Sequence, residues 1–172
     1  AKQESAQAAK LLENFLREGM AAQEAVETVS SALALRGEAG GSTTIDLLSV
    51  DLFTGKCAVH KQGAAPTYVR RDKRIQCAVG ASLPAGIVTG EQAKLDVHRF
   101  RGAQGDWIVM VTDGILCGRD DQWIRDLLAS YQGDSPSDLA QRILRQSQDL
   151  CQGEDDGTVL AVHLERSRDP LG

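Results

Sequence analysis

The residues best suited to chemistry lie in two acidic turns. Asp113-Gly114 follows the apolar run Trp107-Ile108-Val109-Met110-Val111-Thr112, and Asp155-Asp156-Gly157-Thr158 leads into a second strand-like run, Thr158 to Leu164. If the two strands are antiparallel neighbours, the end of one lies beside the start of the other, and Asp113 meets Asp155 at one sheet edge. Carboxylates gathered without a counter-charge raise one another's pKa, so such a cluster recruits a cation or shares a proton. An all-oxygen donor set of this kind suits magnesium or manganese rather than zinc. Each Asp-Gly pair alone reads as a strand-end turn. At the open ends of two strands that flank a helical insertion, the pairs together favour a metal edge.

The remaining reactive side chains point to no second chemistry. His60, His98 and His163 are scattered over three strand-like segments with no nucleophile motif beside them, and read as strand-face residues. Cys57, Cys77, Cys117 and Cys151 are widely separated and form no Cys-x-x-Cys pair, so reduced, mostly buried thiols in a cytosolic setting are expected. Arg70, Arg71, Lys73 and Arg74, interrupted by Asp72, read as a solvated hairpin turn. A net charge of -5 argues against a nucleic-acid face, which needs a concentrated positive footprint. No apolar run approaches the roughly 20 residues that span a bilayer, so no membrane contact by this segment is expected.

The elements that must position the acids follow from periodicity. Apolar residues at three- and four-residue spacing predict helices over 3–17 and 22–35, with Gly19 at the first C-cap. Alternating or short apolar runs predict strands at 43–52, 57–61, 67–70, 74–79 and 94–100. The run 107–112 is continuously apolar and is expected to be a central strand buried on both faces. Helical stripes return at Trp123, Ile124, Leu127 and Leu128, then at Leu139, Ile143, Leu144 and Leu150, the latter opening with Ser135 as N-cap and Pro136 at the first helical position. A final strand is expected at 158–164. Helices, strands, helices and a last strand, with 42% apolar content over 172 residues, describe one α+β domain with mostly antiparallel sheet.

Thr112-Asp113-Gly114, Asp155-Asp156-Gly157-Thr158, Ser82-Leu83-Pro84-Ala85-Gly86-Ile87 and Ser42-Thr43-Thr44-Ile45-Asp46-Leu47 resemble segments of the metal-dependent phosphatases related to protein phosphatase 2C, most closely the bacterial sporulation type. The resemblance runs nearly end to end. It implies an α/β/β/α sandwich with two manganese or magnesium ions at one sheet edge, where a metal-activated water hydrolyses phosphoserine. Asp113 matches the family's Ser/Thr-Asp-Gly ligand, Asp155 matches the late ligand of Asp-Asp-x-Thr, and Asp156 is its neighbour; these three are the candidate metal residues, with no catalytic residue beyond them.

The same resemblance implies a phosphorylated anti-anti-sigma protein as substrate, control of a sporulation sigma factor, and a cytoplasmic location within a membrane-anchored protein; it leaves a homodimer open. The family's upstream glycine-rich Asp-Gly motif and first strands have no counterpart in this sequence. Residues 1–172 are therefore expected to be one truncated phosphatase domain that binds metal poorly and hydrolyses phosphoserine slowly or not at all. A stress-response phosphatase of the same fold, or a non-catalytic docking module, are the alternatives.

Overall fold

The structure is a computed structural model that describes residues 2–36, 41–87, 94–152 and 156–166. Its elements, in chain order, are α1 (Lys2–Arg17), α2 (Ala22–Ala34), β1 (Ile45–Val50), β2 (Lys56–Gln62), β3 (Thr67–Arg71), β4 (Arg74–Ala78), β5 (Asp96–Arg101), β6 (Trp107–Val111), α3 (Asp113–Leu116), α4 (Gln122–Ser130), α5 (Pro136–Cys151) and β7 (Val159–His163). They fall into two compact units, Ala1–Ala64 with Gly80–Phe100, and Ala65–Val79 with Arg101–Gly172. Among the described residues no helix is long and apolar enough to cross a membrane.

The first unit sets a helical hairpin beside a three-stranded sheet of order β1-β2-β5. Gly19, at φ +86, ends α1 with its N–H on the Leu16 carbonyl and that of Met20 on the Phe15 carbonyl, the left-handed closure that glycine adopts without strain. Val26, Val29 and Leu33 are buried together with Ala8, Ile45 and Ala85, and Leu12 and Phe15 pack against them, so the apolar stripes of both helices are core. Two polar contacts fix the sheet. Asp46 faces Lys61 across β1 and β2, and the fully buried Lys61 ammonium lies 2.7 Å from Asp46 Oδ2. Gln62 donates from Nε2 to Ser30 Oγ at 2.9 Å, joining β2 to α2. At the β1–β2 turn, Asp51 Oδ1 accepts the N–H groups of Phe53 and Thr54. This Asx turn leaves Leu52 and Phe53 fully in solvent.

The second unit is a four-stranded antiparallel sheet of order β4-β3-β6-β7 with α3, α4 and α5. Every residue of β6 is buried, as its unbroken apolar run requires. Trp107, Val109 and Val111 project to the side carrying Ile124, Leu128, Leu139 and Ile143, all four without exposed surface. Tyr131 meets Trp107 edge-on at 5.4 Å, and His163, the register partner of Trp107 on β7, stacks on it with ring centroids 4.0 Å apart. The histidines of β2, β5 and β7 are strand residues, as expected. Ser135 Oγ accepts the Asp138 N–H and Pro136 opens α5, completing the predicted cap.

Two expectations change. The basic cluster does form a hairpin, with Asp72 at φ +54 in the turn, yet half of it is anchored. Arg70 donates to the Tyr131 carbonyl at 2.9 Å, and Arg71 grips the buried Asp106 with two hydrogen bonds of 2.9 and 2.7 Å. The cysteines are not all thiols: Cys117 and Cys151 are joined in a disulfide, with Cα atoms 5.8 Å apart. Their 34-residue separation carries no spacing motif, and only the packing of α3 on α5 brings them together.

Candidate metal centre

The geometry of the acidic edge starts from the pairing of β6 with β7. The strands run antiparallel with Val111 opposite Val159, so the chain leaves β6 into Asp113 at the end where it enters β7 from Asp156. The antiparallel adjacency expected from the sequence is therefore present. Beyond the last strand pair the two turns are stitched by reciprocal hydrogen bonds. Thr158 N–H donates to Thr112 Oγ1 at 2.9 Å, and Thr112 N–H donates to the Thr158 carbonyl at 3.1 Å. A hydroxyl is thus needed directly before Asp113, which gives the Thr of Thr-Asp-Gly a physical role.

Asp113 begins α3, a single helical turn that periodicity could not signal because four residues hold no repeat. Its side chain is exposed, accepts the Gly114 N–H at 3.1 Å, and makes no ion pair among the described residues. Gly114 behind it is buried. Asp156 is exposed, while Asp155 lies outside the described residues. Gly157 sits close to Ile115: a Cβ there would stand 2.5 Å from Ile115 Cδ1 and 3.2 Å from Cγ1, so that side chain would have to shift. The bare backbone at Gly157 lies against Ile115 of the turn that starts at Asp113.

Beside them a cleft of about 310 Å³ is lined by Gly114, Ile115, Leu144, Ser147, Gln148, Cys151, Asp156 and Gly157. Ser147 Oγ donates to the Ile115 carbonyl at 2.8 Å, tying α5 to the turn that starts at Asp113. Thr112, Thr158 and Ser147 are positioning residues that sequence reasoning did not single out. Thr112 acts through its hydroxyl and Thr158 through its backbone alone, so the signal was the hydroxyl directly before Asp113.

Exposed carboxylates such as those of Asp113 and Asp156 are the donor chemistry that a hard divalent cation takes. Among the described residues no three His, Cys, Asp or Glu side chains gather into a cluster. Magnesium, however, keeps several waters and is commonly held by one or two carboxylates, a number that Asp113 and Asp156 can supply. Thr112→Val, which removes the acceptor of the Thr158 N–H, is expected to weaken manganese binding by the full-length protein about threefold to tenfold with little change in thermal stability. Thr112→Ser should restore it. Unaltered manganese affinity in the Val variant, measured by isothermal titration, would rule out the positioning role.

The family model described as stage II sporulation protein E matches residues 1–165. Stage II sporulation protein E of Bacillus subtilis (strain 168) is 27% identical over 171 residues, which is 95% of this chain and 20% of that protein. The solved PP2C phosphatase domain, with a fragment of the regulatory domain, of the cell fate determinant SpoIIE from Bacillus subtilis is 27% identical with a TM-score of 0.81, over 92% of this chain and 50% of that one. A manganese-presoaked structure of the SpoIIE phosphatase domain from the same organism is 25% identical with a TM-score of 0.66, over 93% of this chain and 74% of that one. The chain thus spans a fifth of the length of the curated relative, and its α+β fold with antiparallel sheets is that of the phosphatase 2C type.

Proposed function

The chain belongs to the stage II sporulation protein E family, and from that premise we propose that it is a segment of one metal-dependent phosphatase domain that hydrolyses phosphoserine on a protein substrate. The substrate class proposed is a phosphorylated anti-anti-sigma protein, whose dephosphorylation controls a sporulation sigma factor. The segment is placed on the cytoplasmic side of a membrane-anchored protein. The observation that supports the reading is the reciprocal Thr112–Thr158 bonding, which sets Thr112-Asp113-Gly114 beside Asp156-Gly157-Thr158 at one sheet end.

In this reading Asp113, Asp155 and Asp156 hold manganese or magnesium. Divalent ions bound there lower the pKa of water and neutralise charge on the phosphoryl oxygens, the two demands of a very slow uncatalysed hydrolysis. The chain's own part is to present carboxylates at fixed places. The Thr112 hydroxyl and the Thr158 backbone lock the turns, Gly157 lies against Ile115, and Ser147 holds the Ile115 carbonyl behind Asp113.

Phosphate release from a phosphoserine protein tests the proposal. The full-length protein should be active with manganese and silent after chelation, while residues 1–172 alone should be at least about 100-fold slower, because further carboxylate ligands of the two-metal site are expected upstream. Tight binding of the phosphoprotein with no turnover under any divalent ion would favour the docking-module reading instead.

A further inference from the structure

We propose that Cys117 and Cys151 form a reversible thiol–disulfide pair that sets how tightly the acidic edge holds a divalent cation. The proposal rests on the metal reading of that edge. Its basis is the placement of the two residues. Cys117 ends α3 in a left-handed conformation, φ +51, and its N–H donates to the Asp113 carbonyl at 3.2 Å. Cys151 is the last residue of α5 and stands in the wall of the cleft shared with Gly114, Asp156 and Gly157. The crosslink therefore joins the turn that opens on Asp113 to the helix end from which the chain runs on to Asp156.

The 5.8 Å between the two Cα atoms falls within the range that a disulfide spans without backbone movement. Cys117 is partly exposed and Cys151 buried. That asymmetry suits a sensor: the accessible thiol meets the oxidant and the buried one resolves it. With hydrogen peroxide, the Cys117 sulfur takes one peroxide oxygen to become a sulfenic acid and a water leaves. The Cys151 thiol then displaces hydroxide from that sulfur, forming the S–S bond and a second water. The two thiols lose two electrons and the peroxide gains them. A dithiol reverses the step by exchange, and in reducing compartments disulfides are characteristically transient and sensing.

Coupling to the cation follows from order. Oxidised, the end of α5 cannot separate from α3, so the acidic turns meet an incoming ion already placed. Reduced, the junction keeps the Ser147 hydrogen bond to Ile115 and side-chain packing, and α5 can fray at its last turn. Preorganisation of this kind strengthens binding by lowering the ordering cost.

The test uses the full-length protein, reduced with dithiothreitol or treated with hydrogen peroxide and then freed of reagent. Peptide mapping without reduction should find the Cys117–Cys151 link in the oxidised sample alone. Manganese titration, read from the paramagnetic resonance of the free ion, should give about threefold to tenfold tighter binding in that sample. Cys117→Ser should bind like the reduced protein with or without peroxide. Failure to find the link after oxidation overturns the proposal, and so does a link with manganese affinities equal within about twofold. Absence of manganese binding in both samples defeats the metal reading and the coupling with it, while the peptide map still reports whether the pair forms.

Discussion

Asp113→Asn in the full-length protein is expected to lower manganese-dependent phosphoserine hydrolysis about a thousandfold, equivalent to roughly 4 kcal/mol of lost transition-state stabilisation. The reason is the isolation of the side chain. Asp113 is exposed and, among the described residues, accepts a hydrogen bond from its neighbour Gly114, which the amide oxygen of Asn can accept equally well. Nothing in the packing of α3 or β6 depends on its charge, so the stability change should stay within about 0.5 kcal/mol. What the substitution removes is a negative donor for a hard cation. Activity within tenfold of the parent, with circular dichroism and melting unchanged, would exclude Asp113 as a ligand.

Asp106→Ala is expected to destabilise the second unit by about 2–3 kcal/mol with no direct effect on chemistry, since hydrogen bonds to a charged group are individually worth about 1.5–3 kcal/mol. Asp106 is 1% exposed and accepts two hydrogen bonds from Arg71 and one, at 2.7 Å, from the Ala103 N–H. The figure is kept below that for a fully buried ion pair because Arg71 is half exposed and water screens it once its partner is gone. Burial pushes the Asp106 carboxyl up, but the Arg71 hydrogen bonds, the Ala103 N–H and the Arg71 charge outweigh it and hold the pKa below the ordinary carboxylate value. The sign follows from that depression. The contribution is complete above the unfolded pKa of about 3.9 and is lost as pH falls through the lower folded value, so parent and variant should converge in strong acid. Urea unfolding at pH 7 and below pH 3 measures both ends; an equal gap at the two would contradict the assignment.

Much of the fold was legible because period and burial agree. The stripes of α1, α2, α4 and α5, the caps at Gly19 and Ser135, and the unbroken run of β6 each correspond to the element that the residues imply. What escaped was information carried by distant partners. Asp46 and Lys61 alternate with apolar neighbours as solvent-facing residues would, yet they bury each other across two strands. Arg71 reads as part of a charged turn until Asp106, 35 residues later, is seen to need it. The Cys117–Cys151 bond has the same character. Within the site, the antiparallel pairing was readable from the motifs, whereas the Thr112–Thr158 stitching needed the register, and Asp155 falls outside the described residues.

The place of β7 in the sheet also bears on how the protein is made. Thr158 completes the lock on Thr112 only after 46 further residues have been added, and β6 lies between β3 and β7. While a ribosome is still building α5, the nascent chain therefore shows one bare border of β6 and a half-formed acidic edge. Non-local pairings of this kind close late and leave sticky backbone in the interim. Translation must pass Val159–His163 before β6 is covered on both sides and Thr158 can close on Thr112.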